Sequence, residues 1–194
     1  MESTAFIWFA IVGIPILVAL VWLIASFNRF QRLRQHIRES WSDIDVEMKR
    51  RYELIPNLVE TVKGYAAHER ETLERVVQLR NAAAANHGSA SSQAGDESRL
   101  MLGVKHLFAV AEGYPQLRAD GHFLALQREL ANTEDRIAAA RRFFNGNTRD
   151  FNQLCGTFPT NLIASMFGFK PADFFELASD AERVVPRIGL DPRP

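Results

Sequence analysis

Residues Ala5 to Phe27 read AFIWFAIVGIPILVALVWLIASF, 23 residues without a charge. At about 1.5 Å per residue a helix of this run reaches roughly 34 Å, enough to cross a bilayer core of about 30 Å. A helix that is apolar on every face must be buried in a large core or in lipid. A chain of 194 residues offers little volume to surround it. A cleaved signal peptide fits poorly: Glu2 is the only charged side chain ahead of the run, the run is long, and no small-x-small site follows. Residues 5–27 are therefore expected to be a transmembrane helix, with residues 1–4 a short extracytoplasmic segment. Gly13 and Pro15 fall mid-run, where membrane helices tolerate a kink. Trp8 and Trp22 lie toward its ends, as interfacial anchors do.

The flanks set the expected orientation. Arg29, Arg32, Arg34 and Arg38 follow the run, and Glu39 is the first acid after it. By the positive-inside rule the bulk of the chain is expected in the cytoplasm, with the N-terminus outside. Mean hydropathy is −0.13 for the whole chain despite the run, so the rest is polar. Lys+Arg and Asp+Glu both number 23, which argues against a nucleic-acid partner. The single cysteine, Cys155, excludes a disulfide framework and a multi-cysteine metal site.

The remainder reads as helices. From Asn28 to about Ala85 the apolar series Trp41, Ile44, Met48, Tyr52, Ile55, Leu58/Val59, Val62, Tyr65, Leu73 and Val76 marks one face of a long amphipathic helix. Pro56 leaves the Tyr52 carbonyl without its helical donor and is expected to bend the helix; Gly64 is a weaker flaw. Residues 86–98, NHGSASSQAGDES, are small and polar and read as a flexible linker. Residues 99–112 form a short helix, and Asp120 is a candidate N-cap for the next. There Phe123, Leu130, Ile137, Phe144, Phe151 and Phe158 recur every seven residues, with Leu126, Thr133, Ala140, Asn147 and Leu154 in the second heptad position. NLIASMFGF (161–169) is a short apolar helix. The tail after Leu177 carries Pro186, Pro192 and Pro194 and is expected to be partly disordered. The expected architecture is all-α: a transmembrane helix, then an elongated antiparallel three- to four-helix bundle over residues 28–177.

Two blocks carry a family resemblance. WSDIDVEMKRRYELIPNLVETVKGYAAHERETLERV (41–76) resembles the signature of the LemA family. NTEDRIAAARRFFNGNTRDFNQLCGTFPTNLIASMFGFKP (132–171) is similar to the family's second block, including the FP-x-NLIA turn and the FGF-x-P end. The resemblance implies a bacterial, single-span membrane protein with a long-helix cytoplasmic bundle. It implies no enzymatic activity and no cofactor.

The residues themselves offer little chemistry. His68-Glu69 opens HERET, but Thr72 stands where a metallopeptidase helix needs its second His. The other histidines are scattered, and no P-loop, nucleophile elbow or dinucleotide fingerprint is present. A histidine phosphotransfer module using His68 on the first helix is an alternative, opposed by Glu69 and Glu71 beside it. Cys155 lies beside the heptad seam and reads as a structural thiol. Pro56, Asn57 and Glu60 form a candidate polar patch at the bend, serving either a partner or the broken helix turn. Arg50-Arg51 and Arg141-Arg142 read as a solvated basic face. Eight of the 14 Phe residues fall between Phe143 and Phe175. With Ile163, Met166, Phe167 and Phe169 of NLIASMFGF they suggest an assembly contact. The expected function is a non-enzymatic, membrane-anchored scaffold that self-associates; the alternative is a regulatory adaptor for one membrane-associated enzyme or sensor.

Overall fold

A computed structural model describes residues 2–178, with side chains from residue 11 onward. Among these residues there are six helices and no strand: α1 (Glu2–Lys63), α2 (Arg70–Ala85), α3 (Ala90–Glu112), α4 (Pro115–Arg118), α5 (Gly121–Gly156) and α6 (Thr160–Phe167). The fold is an all-α helical bundle with one long apolar N-terminal helix, as the periodicity predicts. The tail expected to be disordered lies, beyond Ala178, outside the described residues.

The chain forms two compact units, one made of residues up to Glu39 with Gly146–Ala172, the other of Ser40–Asn145 with the segment from Asp173. In the first, Phe30, Phe151, Leu154, Ile163 and Ala164 are the buried core. Phe169 stacks on Phe30 with ring centroids 4.6 Å apart and meets Phe151 edge-on at 6.2 Å. Asn152 holds the chain past α6 at two points, its Nδ2 donating to the Ala172 carbonyl at 2.9 Å and its Oδ1 accepting from the Ala172 N–H at 2.8 Å. A side-chain amide carries one donor group and one acceptor, so it pairs with an extended backbone as a strand would.

The second unit uses the same device at Asn145, which bonds both the N–H and the carbonyl of Phe175 at 2.9 and 3.0 Å. That seats the buried Phe175 ring on Trp41, which also meets Phe144. The stripe Phe123, Leu130, Ile137, Phe144 and Phe151 is buried along α5. Asp120 caps α5 as expected, accepting from the Phe123 N–H at 2.8 Å.

The structure corrects four expectations. The helix does not run unbroken from Asn28 to Ala85. It passes through Pro56 and ends at Lys63, where Gly64 opens a turn closed by bonds from the Tyr65 and Ala66 N–H groups to the Val62 carbonyl. The turn buries Ala66, and α2 beyond it packs against α3. The 86–98 linker is largely helix. Ser89 caps α3 by accepting from the Ser92 N–H, so only residues 86–89 connect. Polar Gln93 and Glu97 are buried there because they have partners, which composition cannot reveal. Phe158, the last residue of the heptad series, lies past the end of α5 and is 75% exposed. His68 sits in the turn before α2, not on the first helix.

Candidate functional site

Pro56 has no N–H to give the Tyr52 carbonyl. Arg80 of α2 supplies the missing donor, its Nε lying 3.0 Å from that oxygen. The helix turn is thus repaired from outside, and Asn57 and Glu60 are not used for it. Both are exposed: the Asn57 carbonyl accepts from Thr61 Oγ1, and Glu60 pairs with Lys63 at 3.4 Å. The candidate polar patch of Pro56, Asn57 and Glu60 faces solvent beside a proline turn whose open carbonyl is satisfied by Arg80.

The charged site lies one turn earlier and faces inward. Arg51, expected on a solvated face, is 1% exposed. Its guanidinium meets the equally buried Glu97 of α3, Glu134 of α5 at 3.0 Å, and the Met101 sulfur at 3.1 Å. Tyr52 donates its hydroxyl to Glu97, and Gln93 Nε2 bonds Glu97, the Tyr52 oxygen and the Ala83 carbonyl at 2.9, 3.2 and 3.0 Å. Burial pushes the Tyr52 phenol up from its usual range. One arginine thereby ties α1, α3 and α5 by charge. Arg50 stays at the rim, 3.3 Å from Glu129. The signal that points to this hub is Gln93 and Glu97 at i, i+4 with Leu100, Met101 and Val104 continuing the same helix, which the small-residue composition of 86–98 obscures.

Groups able to do chemistry are sparse. Among the described residues no three His, Cys, Asp or Glu side chains gather where they could hold a metal ion. Cys155 is half-buried against the Phe30–Phe151 core, and burial raises its thiol above the usual range. His68 is exposed between Ala67 and Glu69. An open cleft of about 740 Å³ lies between α2 and α3, rimmed by Glu71, Arg75, Arg99 and His106. Both signs of charge line it.

The candidate contact residues of NLIASMFGF divide. Ile163 is buried and Phe169 is half-buried against the same core, so these two hold the fold. Met166 is 68% exposed and Phe167 45% exposed, and Leu162 joins them on the outer side of α6. Helical geometry explains the split: positions 163 and 164 face the core, while 162 and 166, four apart, share the opposite side. Gly168, in the left-handed conformation at φ 71°, ends α6 and returns the chain to Phe169.

The apolar run has its own geometry. The N-terminal helix is long and apolar enough to cross a membrane, and its apolar length is unburied. Ile11, Ile14, Leu17, Val18, Val21 and Ile24 are all exposed; burial on α1 begins at Ser26 and Phe30.

The sequence profile of the LemA family matches residues 40–189. Protein LemA of Metamycoplasma hominis is 29% identical over 157 residues, covering 81% of this chain and 71% of that protein. Magnetosome protein MamQ of Magnetospirillum gryphiswaldense is 24% identical over 193 residues, covering 86% of this chain and 71% of that protein. Magnetosome protein MamQ 2 of Paramagnetospirillum magneticum matches to the same extent, at 24% identity.

Proposed function

The chain belongs to the LemA family, and from that premise we propose that it is a single-pass, non-enzymatic helical scaffold whose copies self-associate at the cytoplasmic face of a bacterial inner membrane. The observation that carries the anchor is the uncovered apolar length of α1. Nine large aliphatic side chains from Ile11 to Ile24 are exposed, and the same helix continues into the bundle without a break. Left in water, that surface would be an aggregation site; in lipid it is solvated by acyl chains. Arg29, Arg32, Arg34 and Arg38 at its end support the cytoplasmic placement of the bundle.

Self-association follows from anchoring. Lipid tails are as apolar as the span, so the span itself gives little lateral specificity. Copies held in one plane meet at high effective concentration, and contacts too weak for solution can then close an assembly. Phe143, 73% exposed, and Val46 are large apolar side chains the bundle leaves uncovered. Identical copies close most simply by rotational symmetry. Cross-linking in native membranes followed by mass measurement in mild detergent tests this. Large uniform particles of one chain are expected; a monomer that co-purifies with one other protein would replace the scaffold with an adaptor. Topology is tested in a Cys155→Ser background with Ser3→Cys or Ser92→Cys. An impermeant reagent on spheroplasts should label the first and spare the second, and the reverse pattern would place the bundle outside.

A further inference from the structure

We propose that α6 is an interfacial membrane element: its outer face, Leu162, Met166 and Phe167, lies in the boundary between headgroups and acyl chains of the leaflet from which α1 emerges. This rests on the reading of residues 5–27 as a membrane span.

Three observations converge on it. The first is position. Phe27 is the last residue of the uncharged run, and its ring lies 4.8 Å from that of Phe167 and 5.9 Å from that of Phe169. The helix α6 is therefore docked where the lipid-facing part of α1 ends. The described residues 11–25 are exposed or half-buried, and cover begins with Ser26. The second is composition. Phe151 to Phe169, FNQLCGTFPTNLIASMFGF, is a second stretch without Asp, Glu, Lys, Arg or His, 19 residues long. A helix needs an apolar inner face for a core; here large apolar side chains, Leu162, Met166 and Phe167, stand on the exposed side of α6 as well, with no charge among them. The third is the charge around it. Arg29, Arg32, Arg34 and Lys170 are exposed in this same unit and follow the two uncharged stretches in the chain, so they are available to lipid phosphates. An apolar face buried about 5–10 Å into the interface, with basic residues at its edge, is how interfacial helices sit in anionic membranes.

A second copy of the chain would also cover this face. The lipid reading is favoured because the face is continuous with the lipid-exposed surface of α1, so any copy would have to displace lipid from it.

The test uses the full-length chain in vesicles of phosphatidylcholine and phosphatidylglycerol, in a Cys155→Ser background. Single cysteines are placed by Leu162→Cys, Met166→Cys, Ala19→Cys and Ala119→Cys, each carrying a bimane fluorophore. Leu162 and Met166 are exposed, so the label displaces no core; unchanged far-ultraviolet circular dichroism confirms folding. The labels at 162 and 166 should be quenched by doxyl lipid at least threefold more, and by aqueous iodide at least threefold less, than the label at 119. Iodide quenching at 162 and 166 equal to that at 119, with position 19 still quenched by lipid, would overturn the interfacial role and leave the anchor standing. Iodide access at 19 as well would remove the anchor. Labels at 162 and 166 shielded from both quenchers, with disulfide cross-links between copies of the same variants left unlabelled, would make the face an assembly contact and overturn the proposal.

Discussion

Replacing Arg51 with Ala should unfold the bundle's middle more readily than any surface change. The substitution leaves Glu97 at 1% exposure with Tyr52 and Gln93 as hydrogen-bond partners and no countercharge. Glu134 is 19% exposed and can turn to water, so most of the penalty falls on Glu97. Breaking a buried ion pair from one side costs about 3–5 kcal/mol, largely because the surviving charge stays buried. The expected loss for Arg51→Ala is therefore about 3–5 kcal/mol. Adding Glu97→Gln removes the stranded charge while keeping the shape and the bonds to Gln93 and Tyr52, and should return about half of the loss. Urea unfolding of the full-length protein in mild detergent, followed by circular dichroism at fixed detergent-to-protein ratio, reads both variants. A loss below about 1 kcal/mol for Arg51→Ala would show the hub to be incidental. A double variant no more stable than the single would show that lost packing, not charge, sets the cost.

Phe144→Ala and Phe151→Ala should each cost about 3–5 kcal/mol, while Phe143→Ala, one residue away and exposed, should stay within about 0.5 kcal/mol in the same titration. Arg80→Met should cost about 1–2 kcal/mol by stranding the Tyr52 carbonyl, and less in a Pro56→Ala background, where the helix regains its own donor; equal costs in both backgrounds would refute the repair. The bond from the Phe123 N–H holds the Asp120 carboxyl below its usual range, and Arg99 with Asn86 does the same for Asp96. Both carboxyls bind protons less readily folded than unfolded, so their contribution is present above pH about 4 and lost as pH falls below it. Asp96→Asn and Asp120→Asn should flatten that acid limb of a stability-against-pH curve.

The heptad series shows what period alone can deliver. Phe123 through Phe151 are buried at the positions the repeat assigns, because a seven-residue spacing keeps one face toward a neighbour whatever that neighbour is. Phe158 obeys the spacing and is exposed, since the helix has already ended at Gly156. The stretch 86–98 fails in the opposite sense: its small polar residues resemble a linker, yet Gln93 and Glu97 are inside. Polar burial depends on partners 40 to 50 residues distant, Tyr52 and Arg51, and no local pattern encodes them. The candidate contact segment was half legible. Its apolar character is plain, but which of Ile163, Met166, Phe167 and Phe169 turn outward is settled by where α6 begins and by the left-handed turn at Gly168.

Several features followed from the residues in order: the uncharged run long enough for a bilayer, the basic flank behind it, the all-helical character and the family blocks. Each is a property of spacing or composition along one segment, so it survives whatever the chain does elsewhere. Tertiary structure decided what required two segments to meet. It placed Arg51 between two carboxylates, lent Arg80 to the carbonyl that Pro56 leaves open, and ended the long helix at Lys63, before an α2 that packs on α3. It also set Phe167 beside Phe27, bringing a second uncharged stretch to the end of the first. The free energy of such pairings comes from desolvation and charge between residues far apart in sequence, and it exists only once the backbone has brought them within a few ångströms.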